Sequence, residues 1–313
     1  MSPTPPVSPR PPAPRLTGVP AACLRVAELT LQTFRQLARM KVFYFLIFFG
    51  LLVIGSSMFV LHYNSLEQEL KLLKDFSFFG MTLFSSLLSI VGTAMLLPQD
   101  MEDRTLYTIL SKPVPRIEYL LGKLLGVIAL VGASLVLMDL FFSLVLWLRQ
   151  HWMIGAEVAA IRAGPGGPEA EESLRIVRAT VAQNGLTWSL QAAVLAIFFK
   201  AVVISSLALM VSTFAHSSLF TMVTAAVAYF AGHLQADMRA FYEALPATAG
   251  LAKALAGPLA LVFPDFQLFN VVDAAVAGEA VGWAVVGRLG AFGLGYFVVY
   301  TVVAWLIFQD KEI

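Results

Sequence analysis

The feature that most constrains this chain is a series of apolar blocks of about twenty residues. They occupy 42–61, 76–97, 120–148, 188–214, 218–234 and 288–308. A helix of about twenty residues is about 30 Å long, the thickness of the hydrocarbon core of a bilayer. Only 13% of the 313 residues are charged, about half the fraction of a typical soluble domain. The sequence therefore predicts an all-α integral membrane protein with six transmembrane helices.

The charges that flank the first block predict the orientation in the membrane. Arg35, Arg39 and Lys41 directly precede this block, and the only acid before it is Glu28. Because Lys and Arg are enriched on the cytoplasmic side, we expect the N-terminus to be cytoplasmic. With six spans, the C-terminus would lie on the same side. The net charge of +1 gives no indication of a nucleic-acid partner.

Two segments precede the first span. Residues 1–21 are rich in proline and lack an apolar run, which predicts a disordered cytoplasmic tail without a signal peptide. Residues 22–41 carry their polar side chains on one arc of a helix: Arg25, Glu28, Gln32, Arg35, Gln36 and Arg39. This pattern predicts an amphipathic helix in the membrane interface, or alternatively the cytosolic start of the first span.

The segment 98–112, between the second and third spans, has the features of a short amphipathic helix. Pro98 suits a first helical position, and Pro113 would end the helix. Acids that favour the helix dipole follow Pro98: Asp100, Glu102 and Asp103. Leu106, Ile109 and Leu110 form an apolar stripe. A rigid helix on the cytoplasmic face can transmit a push from a soluble partner to two spans, although an interfacial loop helix is an equally valid interpretation.

Residues of this segment resemble the motif of ABC-2-type permeases. The matching positions are Glu102, Thr105, Leu106, Leu110, Ser111, Pro113, Arg116 and Leu121-Gly122-Lys123. In that family an acid and a threonine open a coupling helix, and a Pro-x-x-Arg turn leads to Gly-Lys at the third span. Residues 27–47, 212–214 and 263–270 resemble further elements of the family. The resemblance covers about 22–310 and extends to the branch that includes the permease of nitrous-oxide-reductase copper maturation.

This resemblance implies the permease subunit of an ATP-binding-cassette transporter in a bacterial cytoplasmic membrane, with the permease domain at 42–310. Two copies, or two related chains, would pair among membrane lipid, and each coupling helix would dock on a separate ATPase subunit. The expected coupling residues are Glu102, Asp103, Arg104, Thr105, Leu106 and Leu110. The chain lacks the G-x-x-x-x-G-K-[ST] loop that cradles phosphate, so ATP and Mg²⁺ would bind to the partner. No catalytic residue or cofactor is predicted in this chain.

Two ionisable residues lie within predicted spans. Asp139 is in the third span and Lys200 in the fourth. Burying either charge costs several kcal/mol unless it is paired or faces water. Three interpretations stay open: a stabilising ion pair between the two residues, a role in the substrate pathway, or snorkelling to the interface.

The long connection at 235–287 is expected on the outer side. Its segment 247–263 is apolar enough to be a seventh span, but Lys253, Gly257 and Pro258 argue against a crossing. A re-entrant or interface-lying helix therefore fits better. Small residues at 225–232 and at Gly287, Gly290, Gly293 and Gly295 would allow close helix packing, within the chain or in a dimer.

Other classes of protein are less compatible with the sequence. A membrane-embedded enzyme or metal protein needs clustered ligands, whereas His62, His151 and His233 are scattered over the outer ends of spans and show no ligand spacing. The single cysteine, Cys23, excludes an intrachain disulfide. A secondary transporter usually shows internal repeats, and none is evident. A membrane scaffold remains an alternative.

Overall fold

The computed structural model describes residues 19–60, 66–102, 115–163, 171–177, 179, 185–215, 217–237, 240 and 263–309. The main elements are α1 (Val19–Ala38), α2 (Lys41–Val60), α3 (Leu66–Glu102), α4 (Arg116–Ala163), α5 (Trp188–Phe214), α6 (Ser218–His233), a 3₁₀ turn (Phe266–Phe269), α7 (Val272–Val276) and α8 (Trp283–Gln309). The residues in these ranges form no β-strand, which confirms the predicted all-α fold.

Four helices in the described ranges, α3, α4, α5 and α8, are long and apolar enough to cross a membrane. The predicted first and fifth spans coincide with α2 and α6, whose apolar stretches are shorter, Leu46–Ser56 and Ser218–His233. The chain is therefore a multi-pass membrane protein, while the count of six spans stays a prediction.

The N-terminal helix begins earlier than the sequence predicted. α1 starts at Val19, inside the segment expected to be a disordered tail, because a proline such as Pro20 is compatible with the first turn of a helix. Residues 1–18 lie outside the described residues. A turn at 39–40 separates α1 from α2, and the Phe43 amide donates to the Met40 carbonyl at 3.1 Å.

Helix α3 continues through Pro98 to Glu102, so the helix start predicted at Pro98 is wrong. A proline removes one intrahelical hydrogen bond, which a long membrane helix tolerates when its neighbours satisfy the freed groups. Leu96 and Leu97, just before Pro98, are fully buried. Their burial favours continuation of the helix over the local stop signal.

Helix α4 is much longer than the predicted third span at 120–148. Its 48 residues extend about 70 Å, so the expected loop after 148 begins with more than three further helical turns. Just beyond the predicted span, Arg149 forms an ion pair with Glu69 of α3 at 2.8 Å. The ring of His151 stacks on Trp147, with 5.2 Å between centroids. The ion pair joins α4 to the start of α3, whereas the ring stack lies within α4.

The centre of the bundle is α5, which packs against α3, α4, α6 and α8. It can take this position because its residues are apolar on all sides and often small. The small residues buried along it include Ala192, Ala193, Ala196, Ala201, Ser205, Ser206, Ala208 and Ser212. In contrast, α4, α6 and α8 expose large apolar side chains to the outside, among them Leu140, Phe230 and Leu294. A bilayer or a partner helix would cover this surface.

The connection before α8 folds back against α3, α5 and α6. Phe266 and Phe269 are buried, and α7 adds Ala275 and Val276 to the core. The Val281 amide then donates to Ser189 Oγ at 3.1 Å, near the start of α5. The predicted re-entrant segment at 247–263 lies outside the described residues except for its last residue.

Candidate functional site

The residues that follow the predicted coupling segment join three helices. We define the α4 junction as Arg116–Gly126 of α4 together with the residues of α1 and α8 that face them. Within it, Tyr119, Leu120 and Leu124 are fully buried and share a core with Leu97 of α3 and Phe308 of α8. The following contacts hold this junction together.

Arg116 caps the end of α8. Its Nη1 donates to the carbonyl oxygens of Phe308 at 2.9 Å and Gln309 at 2.7 Å. The last carbonyls of a helix have no partner within the helix, and a cation there is also favoured by the helix dipole. The guanidinium lies 5.8 Å from the centre of the Phe308 ring. Arg116 therefore fixes the start of α4 to the end of α8.

Arg25 and Glu118 link α1 to the first turn of α4. Arg25 Nε donates to Oε2 at 2.7 Å and Nη2 donates to Oε1 at 2.9 Å. Two parallel hydrogen bonds of this kind orient both groups as well as attracting them. The hydrogen bond to Glu118 raises the pKa of Arg25 above its usual value, so this arginine stays charged.

Two glycines of α4 bring α1 into direct backbone contact. A Cβ placed on Gly122 would lie 2.5 Å from Leu29 Cβ. A Cβ on Gly126 would lie 2.5 Å from Thr33 Cβ and 3.0 Å from the Thr30 carbonyl oxygen. This Gly-x-x-x-Gly spacing puts both glycines on one face, where the missing side chains allow close helix approach.

Lys123 is buried between the same helices. Its Nζ donates to Gln36 Oε1 of α1 at 3.5 Å and lies 5.7 Å from the centre of the Tyr119 ring. Tyr119 stacks in turn on Phe308, with 6.2 Å between centroids. Gly122 and Lys123, noted in the sequence for their resemblance to a family motif, thus pack α1 against α4, while the neighbouring Tyr119 contacts α8.

The predicted coupling residues themselves are almost all outside the described residues. Glu102 is the last residue of α3, and the other five belong to 103–114, which the structure does not describe. The two ends of this twelve-residue segment are defined, because α3 ends at Glu102 and α4 begins at Arg116 after Pro115.

Asp139 and Lys200 do not form the ion pair that was one interpretation of the sequence. Asp139 Oδ1 accepts a hydrogen bond from Gln191 Nε2 at 3.2 Å, whereas Lys200 Nζ lies 2.8 Å from His233 Nε2. Gln191 and Lys200 are nine residues apart on α5, which separates the two sites by about 14 Å along the helix. The sequence suggested the pair because an unpaired charge within a span is costly, but the two side chains contact different neighbours.

The Lys200 cage consists of Lys200, Tyr229, His233 and Phe266. His233 Nδ1 is 2.9 Å from the Tyr229 carbonyl, which can only accept, so Nδ1 carries the proton and Nε2 accepts from the ammonium. The ammonium also lies 5.6 Å and 5.9 Å from the ring centres of Tyr229 and Phe266. Ring faces attract cations, so imidazole and aromatic groups surround this buried lysine.

The segment 264–267 completes the cage by docking on the end of α6. Gln267 Nε2 donates to the His233 carbonyl at 2.8 Å. The Asp265 carboxylate accepts from the backbone N–H of Gln267 at 3.0 Å. A Cβ on Gly232 would lie 2.5 Å from the Phe266 ring and 2.7 Å from the Pro264 carbonyl oxygen. The sequence placed His233 at an interface and missed this contact, because the partner segment is more than thirty residues away.

The histidines do not share a site in the described ranges. His151 stacks on Trp147, His233 belongs to the Lys200 cage, and His62 lies outside the described residues. No group of three or more His, Cys, Asp or Glu that could hold a metal occurs in those ranges. Cys23 on α1 is exposed and free.

Comparison with known proteins identifies the family. The family model described as "ABC-2 family transporter protein" matches residues 26–313, which include most of α1 and every later helix. No curated protein matches the chain. The family match and the long apolar helices agree with a transporter membrane subunit. The chain therefore belongs to the ABC-2 transporter family and is a multi-pass membrane permease.

Proposed function

We propose that this chain is the membrane subunit of an ATP-driven transporter and that a separate ATPase subunit docks on the predicted coupling helix at about 98–112, which we call the docking segment. In this proposal the chain crosses the membrane six times with both termini in the cytoplasm, and two permease chains pair around the substrate. The family match supports the class of transporter. The branch of copper-maturation permeases stays a prediction.

The α4 junction is the observation that carries the proposed coupling. The docking segment is followed within a few residues by Arg116, which binds the end of α8, and by Glu118, which binds Arg25 of α1. A displacement of this segment would therefore move α1, α4 and α8 together. Because α4 is one continuous helix of 48 residues, motion at its start would reach the other end of the bundle without a hinge.

The contact of α8 with α5 gives this motion a second route. α8 packs along α5, where Gly290 and Gly293 face Phe199. A Cβ on Gly290 would lie 3.3 Å from the Phe199 ring, so the two helices are closely apposed. Movement of α8 would thus displace α5, the central helix. This arrangement supports a mechanism in which the helices move as rigid bodies and pass the motion of the docked ATPase to the centre of the bundle.

The test combines the permease with an ATPase encoded next to it. We expect the two proteins to co-purify, and we expect the permease to stimulate ATP hydrolysis in liposomes. Replacing two predicted coupling residues together, Glu102→Gln and Arg104→Gln, should lower this stimulation at least several-fold. A matched control is Glu171→Gln with Arg175→Gln, since both residues are exposed and far along the chain from the docking segment.

Elution profiles in detergent should be the same for both double variants, because neither changes a residue within an apolar span. Unchanged ATPase stimulation in the Glu102/Arg104 variant would remove the segment from the coupling mechanism. Failure of the ATPase to bind the wild-type permease would contradict the proposed function itself.

A further inference from the structure

A groove between α4 and α5 contains a carboxylate at membrane depth. Its volume is about 370 Å³, within the usual range of small-molecule sites. Apolar side chains form most of the lining: Leu135, Val136, Val194, Leu195, Phe198 and Trp188. Asp139 and Gln191 are its two polar residues. The groove is thus an apolar slot with one acidic group.

The groove lies on the outer surface of the bundle. Val136, on its wall, is 59% exposed, and Leu140, next to the acid, is 63% exposed. Trp188 at its end is also exposed and packs on Trp283, with 4.9 Å between the ring centres. A molecule dissolved in the bilayer could therefore enter sideways without opening the bundle.

Asp139 has no cationic partner within the part of the chain that the structure describes. Its Oδ1 accepts from Gln191 Nε2 at 3.2 Å, and this is its one hydrogen bond to a described residue. The nearest intramembrane cation along α5, Lys200, is held in its own cage by His233. An ionised carboxylate in apolar surroundings costs several kcal/mol, and an external cation would remove most of that cost.

We propose that this groove binds a cationic amphiphile, with an amine or quaternary ammonium headgroup at Asp139 and an alkyl chain along the apolar wall. The carboxylate supplies the countercharge, and the Gln191 amide orients it. Aromatic side chains in the same lining, Trp188 and Phe198, add faces that attract ammonium groups. The proposal concerns binding alone and does not depend on ATP-driven transport.

The test measures binding of tritiated dodecyltrimethylammonium to the full-length chain, immobilised in dodecyl maltoside micelles. This detergent carries the same alkyl chain on an uncharged head and is present in excess, so binding above empty micelles reports the headgroup. We expect one saturable site per chain. Asp139→Asn should weaken it at least tenfold, whereas Asp139→Glu should retain most of it. Asp237→Asn is the matched control, because Asp237 is exposed and outside the groove.

Competition in the wild-type protein tests the same point without a variant. Unlabelled dodecyltrimethylammonium should displace the probe, and dodecanol at equal concentration should not. Equal displacement by dodecanol, or equal binding by Asp139→Asn and wild type, would overturn the proposal. If instead a second copy of the chain neutralises Asp139, the dimer would not bind the probe and Asp139→Asn would alter the oligomeric state, which would also overturn it.

Discussion

Substituting Gly126 with alanine tests whether α1 is held directly against the start of α4. The new Cβ would lie 2.5 Å from Thr33 Cβ, and ordinary contacts begin at 3.4 Å, so α1 must shift by about 0.9 Å, the difference between these distances. The Thr30 carbonyl, 3.0 Å away, belongs to the backbone and cannot rotate aside. The strain therefore falls on the whole helix and on its contacts at Arg25 and Gln36.

The expected magnitude follows from two opposing effects. Overpacking of a tight contact costs about 1–3 kcal/mol, while replacing a glycine inside a helix by alanine gains about 0.5–1 kcal/mol. The net result at Gly126 is a loss of up to about 2.5 kcal/mol. At about 2–4 °C per kcal/mol for a protein of this size class, the midpoint of thermal unfolding should fall by several degrees.

Gly155→Ala is the matched control, since Gly155 is in the same helix and a Cβ there would meet nothing within 4 Å. This variant should be as stable as wild type or slightly more stable, because only the gain in helix propensity applies. The assay is thermal unfolding in detergent, followed by size-exclusion chromatography of the heated protein. If Gly126→Ala is as stable as Gly155→Ala, the close contact between α1 and α4 is wrong.

Two further predictions concern the polar contacts. Glu118→Arg should loosen α1 and increase its cleavage by chymotrypsin at low protease concentration. Adding Arg25→Glu should restore protection because the ion pair is re-formed with exchanged charges, and neither substitution adds or removes a chymotrypsin site. No recovery in the double variant would argue against the pair. His233→Leu leaves the Lys200 ammonium buried without its acceptor and should cost about 1–3 kcal/mol or more of unfolding free energy. Adding Lys200→Met should recover most of this loss in a thermal double-mutant cycle, whereas strictly additive effects would contradict the contact.

The helices and their class could be predicted from the sequence because hydropathy is a local property. Each apolar block coincides with a helix of the structure, including the short α6. The boundaries were less predictable. Pro98 is a local stop signal, but the burial of Leu96 and Leu97 favours a helix that continues to Glu102. The far end of α4 was missed because residues after 148 are too polar for a span yet remain helical.

The site followed from the sequence only in part. Resemblance pointed to Arg116, Gly122 and Lys123, but their contacts with α1 and α8 join residues about 90 to 190 positions apart. Asp139 and Lys200 were recognised as exceptional because charge at membrane depth is costly wherever it lies. Their partners, Gln191 and His233, depend on which face of each helix meets its neighbour.

The sequence by itself determined that this is an all-α protein of the lipid bilayer. The length and composition of each apolar block decide whether it can cross a membrane. The sequence also identified Asp139 and Lys200 as charges that are exceptional within apolar spans. Only the tertiary structure decided which of these residues meet, since pairing depends on how the helices rotate and approach one another. The glycines at 122 and 126 illustrate this, because a missing side chain is visible in the sequence but the helix that fills its place is not.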